Sequence, residues 1–260
     1  MNPKTVSEPD QQLSRAWKCL AINRGDCLLV HSDITPLLRG GATVGGIIDG
    51  LLKAIGPDGT LVLPTFNFEW CSKGEFDHSR TPSTTGLLSE VARRDSRFVR
   101  TLHPIYSFVV SGRQQDEFLS YDHPSGYGVG SGFETLHRLG GKIMVIGLSW
   151  QDSMTFVHYV EQQENVPYRY HKRFEGWYRD STGTTTRREY FHFVRDLQAG
   201  VVTHLHDAER HFFRSGLARE CDALGTRITI IEANVLYEET VKQLRLDPEF
   251  LHRSNTSAAT

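Results

Sequence analysis

The sequence predicts a single α/β domain with a mixed sheet flanked by helices. Three observations carry that expectation. Residues 26–65 read as strand, helix, strand, a unit whose usual form is a parallel right-handed crossover. A second apolar run, Lys142-Ile-Met-Val-Ile-Gly-Leu148, opens after Gly140-Gly141 and leads into a helical pattern. No repeat or low-complexity linker divides the 260 residues, a length that suits one large domain.

Taken in order, residues 1–10 read as a flexible arm, 11–251 as the domain and 252–260 as a flexible tail. Leu13 to Ile22 reads as a helix with Leu13, Trp17 and Leu20 on one side. Asp26 to His31 is a short buried strand, and Ser32 to Gly41 a loop. Thr43 caps a helix from Val44 to Ile55, which stops at Gly56-Pro57-Asp58-Gly59. Thr60 to Thr65 is the second strand. Residues 66–83 and 121–132 are long aromatic loops, which in a compact domain are usually functional. Thr85 to Arg94 is helical, Phe108 to Ser111 a strand, Phe133 to Leu139 a helix. Asp152 is the expected cap of the helix after residue 148. Residues 168–178 are basic and aromatic. Glu189–Val194 and Arg227–Glu232 are β-like, and a helix from Ala233 to Leu244 closes the domain.

Composition narrows the function classes. A net charge of −2 argues against bulk nucleic-acid binding. No apolar run approaches the roughly 20 residues that span a bilayer. The polar N-terminus lacks the apolar core of a signal peptide, so a cytoplasmic protein is expected. Cys19, Cys27, Cys71 and Cys221 have no metal-type spacing and read as reduced thiols.

Thr155, His158 and Glu161 are three residues apart on the helix after the 142–148 strand, so they stack on one face. Ligands of open α/β sheets bind beyond the carboxyl ends of strands. An imidazole held by a carboxylate there is the minimal general base. The plain alternative is an amphipathic helix with a half-buried histidine.

Further stretches carry a resemblance. They are Val30-His-Ser32 with Gly45-Gly46, Gly59-Thr-Leu-Val-Leu-Pro-Thr65, Phe76-Asp77 with Thr81-Pro82, and Gly86-Leu-Leu-Ser-Glu90 with Arg93-Arg94. His103-Pro104 with Ser107, Tyr127-Gly-Val-Gly-Ser131, Gly140 to Gly147, and Thr155-His158-Glu161 follow, then Leu246 to Leu251. In this order and spacing the chain resembles the aminoglycoside 3-N-acetyltransferase family of coenzyme A-dependent acyltransferases, well over residues 20–165 and loosely over 180–251.

The resemblance implies direct transfer from acetyl-CoA or another acyl-CoA to the amine of an amino sugar, without an acyl-enzyme or a metal. His158 would be the base, Glu161 its orienting partner, and Thr155 a donor to the thioester oxygen. His31, Ser32, Asp33, Gly45 and Gly46 would line the pantetheine arm, with His103 and Ser107 bordering the same cleft. Asp77 and His123 are weaker substrate-side candidates. Two departures stand out: Asp33 replaces the family's common serine, and Pro167 to Arg173 is basic. Arg169, Lys172 and Arg173 could pair with phosphates, which tilts the expected acceptor slightly to a nucleotide-linked amino sugar of surface-glycan synthesis, ahead of an aminoglycoside antibiotic. No nucleic-acid or membrane partner is expected, and a homodimer is compatible with the reading. A metal-assisted hydrolase using His158, Glu161 and His103 or His123 is a remote alternative, and so is a non-catalytic binding module on the same fold.

Overall fold

A computed structural model describes residues 7–120 and 122–254. The chain opens with α1 (Glu8–Cys19), capped by the Ser7 hydroxyl, so residues 8–10 are helical where an arm was expected; residues 1–6 lie outside the described part. It continues through β1 (Cys27–Ser32), α2 (Thr35–Arg39), α3 (Val44–Ile55) and β2 (Thr60–Pro64). The long 66–83 segment contains α4 (Trp70–Lys73) and β3 (Glu75–Asp77). Then come α5 (Leu87–Arg93), β4 (Val99–Arg100), β5 (Phe108–Gly112), α6 (Gln115–Leu119) and α7 (Gly132–Arg138). β6 (Lys142–Ile146) leads to α8 (Trp150–Ser153) and α9 (Phe156–Gln163). A long hairpin follows, β7 (Arg169–Arg179) and β8 (Thr185–Arg195), then β9 (Val202–Thr203) and α10 (His206–Arg214). β10 (Arg219–Ala223), β11 (Thr226–Glu232), α11 (Ala233–Leu246) and β12 (His252–Arg253) complete it. The expected tail therefore pairs through β12 with β9, and residues 255–260 lie outside the described part.

The main sheet runs β10-β11-β6-β1-β2-β5-β4. Its centre, β6-β1-β2, is parallel; β11 and β5 join antiparallel on the two sides. This is the expected mixed sheet. All six residues of β1 are buried, as a parallel strand covered on both faces requires. One face packs Leu28, Val30, Leu61 and Leu63 against Leu13 and Trp17 of α1 and Ile47, Ile48 and Leu51 of α3. The other packs Leu29, Val62, Ile143 and Val145 against Phe133, Phe156, Val160 and Leu236 of α7, α9 and α11.

α3 has the expected bounds because both ends carry their signals: Thr43 accepts from Gly46 N–H, and Gly56 takes φ +68°. A second sheet, β3-β7-β8, stands beside the first, with β7 and β8 paired over all 11 residues from Arg169↔Arg195 to Arg179↔Thr185.

Candidate active site

The site forms beyond the carboxyl end of β6. Gly147 turns the chain there with φ +67°, and a Cβ on it would lie 2.4 Å from Asp33 O, so a side chain is excluded. α8 then makes one short turn and α9 starts separately. Asp152 is not the helix cap that the sequence suggested: its carboxylate accepts from the Ser149 hydroxyl at 2.7 Å, inside α8. Thr155 precedes α9, and its hydroxyl donates to Ser153 O at 3.4 Å.

On α9, His158 Nδ1 lies 2.6 Å from Glu161 Oε2. Glu161 is buried, with 1% of its side chain exposed, while the His158 side chain keeps 20%. The Tyr168 hydroxyl donates to Glu161 Oε1 at 3.0 Å. Arg169 brings Nε to 2.7 Å from Oε2, off the line of a hydrogen bond but a close ion pair. Its Nη2 stands 3.0 Å from His158 Nδ1 and 3.3 Å from Thr203 Oγ1, and its Nη1 donates to Phe193 O at 3.1 Å.

These contacts assign the tautomer. Nδ1 cannot accept from Arg169 and donate to Glu161 at once, and the shorter, charge-assisted contact is the carboxylate. The hydrogen therefore sits on Nδ1, and the Nε2 lone pair is free; Nε2 has no partner among the described residues. Burial and the nearby Arg169 hold the His158 pKa below the ordinary range, against the opposing pull of Glu161. Burial disfavours the charged form of Glu161, but His158, Arg169 and Tyr168 together hold its carboxyl below the usual range.

An aromatic wall adjoins the histidine. Tyr127 stands edge-on to it, with ring centroids 5.9 Å apart. The Tyr127 hydroxyl donates to Tyr106 Oη at 2.6 Å, and Tyr106 Oη lies 2.7 Å from His192 Nε2 on β8. Half-exposed Phe68 packs on both Tyr106 and His192. Sequence reasoning missed Tyr106 and His192, read Tyr168 as a stacking residue of the basic segment rather than as the partner of Glu161, and noted Tyr127 only inside a motif.

Several expected site residues are placed otherwise. His31 and Ser32 do end β1, and His31 Nε2 is buried without a partner among the described residues. Asp33 Oδ1 accepts from Thr35 N–H at 2.9 Å, so this carboxylate holds the turn that leads into α2. The start of α3 is already occupied: Thr43 takes the Gly46 N–H, and an Asp10 carboxylate oxygen lies 3.0 Å from where a Gly46 Cβ would be. An anion there would meet that carboxylate, so the start of α3 offers no anion site at Gly46, while exposed Gly45 is open. His103 Nδ1 accepts from Ile105 and Tyr106 N–H, at 3.1 and 3.0 Å, and serves its own turn. Ser107 is fully buried, bonded to Thr65 and Arg100, and does not border a cleft.

On the substrate side, Asp77 Oδ1 accepts from Ser79 and Arg80 N–H. It pairs with Arg179 at the far end of β7, about 30 Å of strand from Arg169. His123 Nδ1 accepts from Ser125 N–H in its own loop. Arg169 is buried against Glu161, and Arg173 is paired with Glu189 at 3.0 Å. Lys172 alone of the three basic candidates has no acidic partner among the described residues; its Nζ lies 5.3 Å from the Phe174 ring.

With the geometry in place, comparisons add a lineage. A family model described as aminoglycoside 3-N-acetyltransferase matches residues 29–245, which include the whole cluster. Aminoglycoside N(3)-acetyltransferase IV of Salmonella is 31% identical over 155 residues, covering 57% of each chain. Aminoglycoside N(3)-acetyltransferase VIII of Streptomyces fradiae is 29% identical over 180 residues, 60% of this chain and 61% of its own. The matched segments thus span less than two thirds of these relatives. Among solved structures, AAC-IIIb, determined as a binary complex with coenzyme A, superposes with TM-score 0.75 at 23% identity, covering 91% of this chain and 96% of that one. The YokD protein of Bacillus subtilis gives 0.75 at 19%, covering 90% and 98%. At these identities the structural likeness speaks for the fold.

Proposed function

The chain belongs to the aminoglycoside 3-N-acetyltransferase family, and from that premise we propose that it is an acyl-CoA-dependent N-acyltransferase acting on the amino group of an aminoglycoside. The observation that carries the chemistry is the 2.6 Å His158–Glu161 contact beyond a parallel strand, with Nε2 left free. His158 and Glu161 bond to each other and share the Arg169 guanidinium, a fixed cation beside both, which favours a base over a pair of metal ligands.

The residues at the ends of β1 and β6 fit a carrier that comes close to backbone. His31 has an unpartnered buried nitrogen, and a Cβ on Gly86 would lie 2.9 Å from Ser32 O, so glycine keeps the chain beside Ser32 slim. When bound, acyl-CoA supplies a thioester carbonyl as the electrophile. His158 Nε2 takes a proton from the acceptor amine as its nitrogen bonds to the carbonyl carbon and the carbon–sulfur bond breaks. Glu161 stabilises the resulting imidazolium, as a buried carboxylate does for a catalytic histidine elsewhere. His158 then returns the proton to the leaving sulfur, and Thr155, its hydroxyl turning from the long 3.4 Å contact with Ser153 O, is the candidate donor to the developing oxyanion.

The preference for a nucleotide-linked amino sugar loses its basis. It rested on Arg169, Lys172 and Arg173 holding phosphates together; Arg169 and Arg173 are engaged by glutamates, and Lys172 is left as a single cation. With those charges offset, the cationic repulsion of an aminoglycoside largely disappears, in keeping with the names of the relatives. The test is thiol release from acetyl-CoA with gentamicin-type aminoglycosides and with nucleotide-linked amino sugars. Turnover is expected with the former. Activity on sugar nucleotides alone overturns the acceptor, and no turnover with any amine overturns the reading. His158→Ala should bind coenzyme A and lose about 10²–10⁴ in rate.

A further inference from the structure

Resting on that reading, we propose that Arg169 is a positioning residue: it shares the Glu161 carboxylate with His158 and offsets its charge, so that the imidazole rests neutral with Nε2 open to the amine. The arrangement is fixed by the protein alone. The Arg169 side chain is 5% exposed and Glu161 1%, so neither is a surface charge free to meet a ligand. Phe193 O on β8 and Thr203 Oγ1 at β9 hold the guanidinium from behind. Tyr168 takes the other carboxylate oxygen, which keeps Glu161 from turning.

A buried carboxylate needs a compensating charge. Two groups here can provide one: Arg169, and His158 by taking a proton. Without Arg169, His158 is the titratable group in hydrogen-bond contact with Glu161, with buried His252 of β12 farther off, stacked on Tyr168, and Glu161 would hold the His158 imidazole as imidazolium. An imidazolium has no lone pair at Nε2 and cannot deprotonate the amine. With Arg169 in place, Glu161 is satisfied and the imidazole is left uncharged until catalysis delivers the proton. The other groups around His158 do not change the balance. Tyr127 on its loop, Tyr168 before β7 and His192 on β8 are uncharged neighbours, their ionised forms disfavoured by burial, and Arg195 on β8 adds to the same side as Arg169. The sign follows: loss of Arg169 raises the pH at which His158 gives up its proton.

The experiment is the pH profile of kcat/KM for acetyl transfer by the parent, Arg169→Gln, Arg169→Lys and the double variant Arg169→Gln/Glu161→Gln. Folding of each is checked by thermal unfolding. For Arg169→Gln the acid limb should move to higher pH. Turnover should fall at least about tenfold near pH 7 and recover to within about threefold of the parent near pH 9. Arg169→Lys, which keeps the charge, should leave the limb near the parent's. The double variant removes both buried charges and should leave the limb at or below the parent's position, which keeps the proposal open to refutation if the single glutamine variant does not fold. A loss equal at every pH, or an upward shift in the double variant, overturns the role of Arg169. Full turnover by His158→Ala instead overturns the underlying base assignment, so the two failures are distinguishable.

Discussion

Acidification should unfold this protein over a narrow range, and the reason lies in histidines that fold neutral. His31 and His103 are 5% and 9% exposed. Burial lowers His31 from 6.5 to about 4 and, with the neighbouring His192 and His123 adding to it, His103 to about 3. Their pKa values are thus lower folded than unfolded, so between the two the unfolded chain binds more protons and stability rises with pH. The contribution is fully present above 6.5 and is lost as pH falls toward the folded values. At about pH 5 each group costs about 2 kcal/mol, so the pair removes about 4 kcal/mol from a fold whose total is of order 5–15 kcal/mol. His192, also lowered to about 3, acts in the same direction. Urea unfolding at about pH 7.5 and at intervals down to about pH 5 measures the slope, with a change below about 1 kcal/mol refuting the reasoning. His103→Asn keeps an acceptor for the two amides its ring now serves. It should cut the slope by up to about 1.4 kcal/mol per pH unit, and an unchanged slope would show that His103 titrates normally.

Three further outcomes follow from contacts already described. Glu161→Gln leaves the Arg169 charge buried and uncompensated, and should cost about 3–5 kcal/mol by urea unfolding in addition to activity; a cost under about 1 kcal/mol would mean the pair is solvated. Ser107→Ala strips partners from Thr65 and Arg100 and should destabilise by about 1–3 kcal/mol, with the KM for acetyl-CoA unchanged, since the hydroxyl faces the interior. Gly112→Ala would set a Cβ 2.1 Å from Gly59 O at φ +129°, so it should lower the Tm by several degrees or abolish soluble expression, and a parent-like Tm would contradict the β2–β5 register.

What the sequence discloses follows how local the cause is. α3 is legible to its ends because Thr43 and Gly56 act within one turn. The His158–Glu161 contact is legible because three-residue spacing on a helix brings side chains together whatever the tertiary fold. Arg169 is not, since its partner arrives from another element and a basic residue in a basic stretch reads as surface. The β7–β8 hairpin is hidden for a related reason. Most of β7 is exposed, so no clean apolar alternation marks it; the Glu189–Val194 part of β8 is legible, but the turn at 180–184, with Asp180 and with Gly183 at φ +91°, does not by itself say which strand precedes it. α10, His206–Arg214, by contrast carries a readable stripe, Leu205, Ala208 and Phe212 at helical spacing with Phe213 beside them, although it is short and otherwise polar. That Asp10 stands beside Gly46 is as illegible as the partner of Arg169, since α1 and α3 meet only in the folded chain.

The place of β1 at the middle of the sheet bears on how the chain reaches this structure. β1 can meet β2 as soon as α3 has formed, but its other neighbour, β6, pairs Lys142 with Leu28, roughly 110 residues later. During synthesis at about 5–20 residues per second, Cys27-Leu-Leu-Val30 waits several seconds with one edge unpaired. That edge is apolar and carries no charge to deter another strand. Nascent chains should therefore be at greatest risk of association after residue 64 and before residue 146 has left the ribosome, and yield should respond to translation speed and to chaperones that shield strand edges more than to changes in the finished fold.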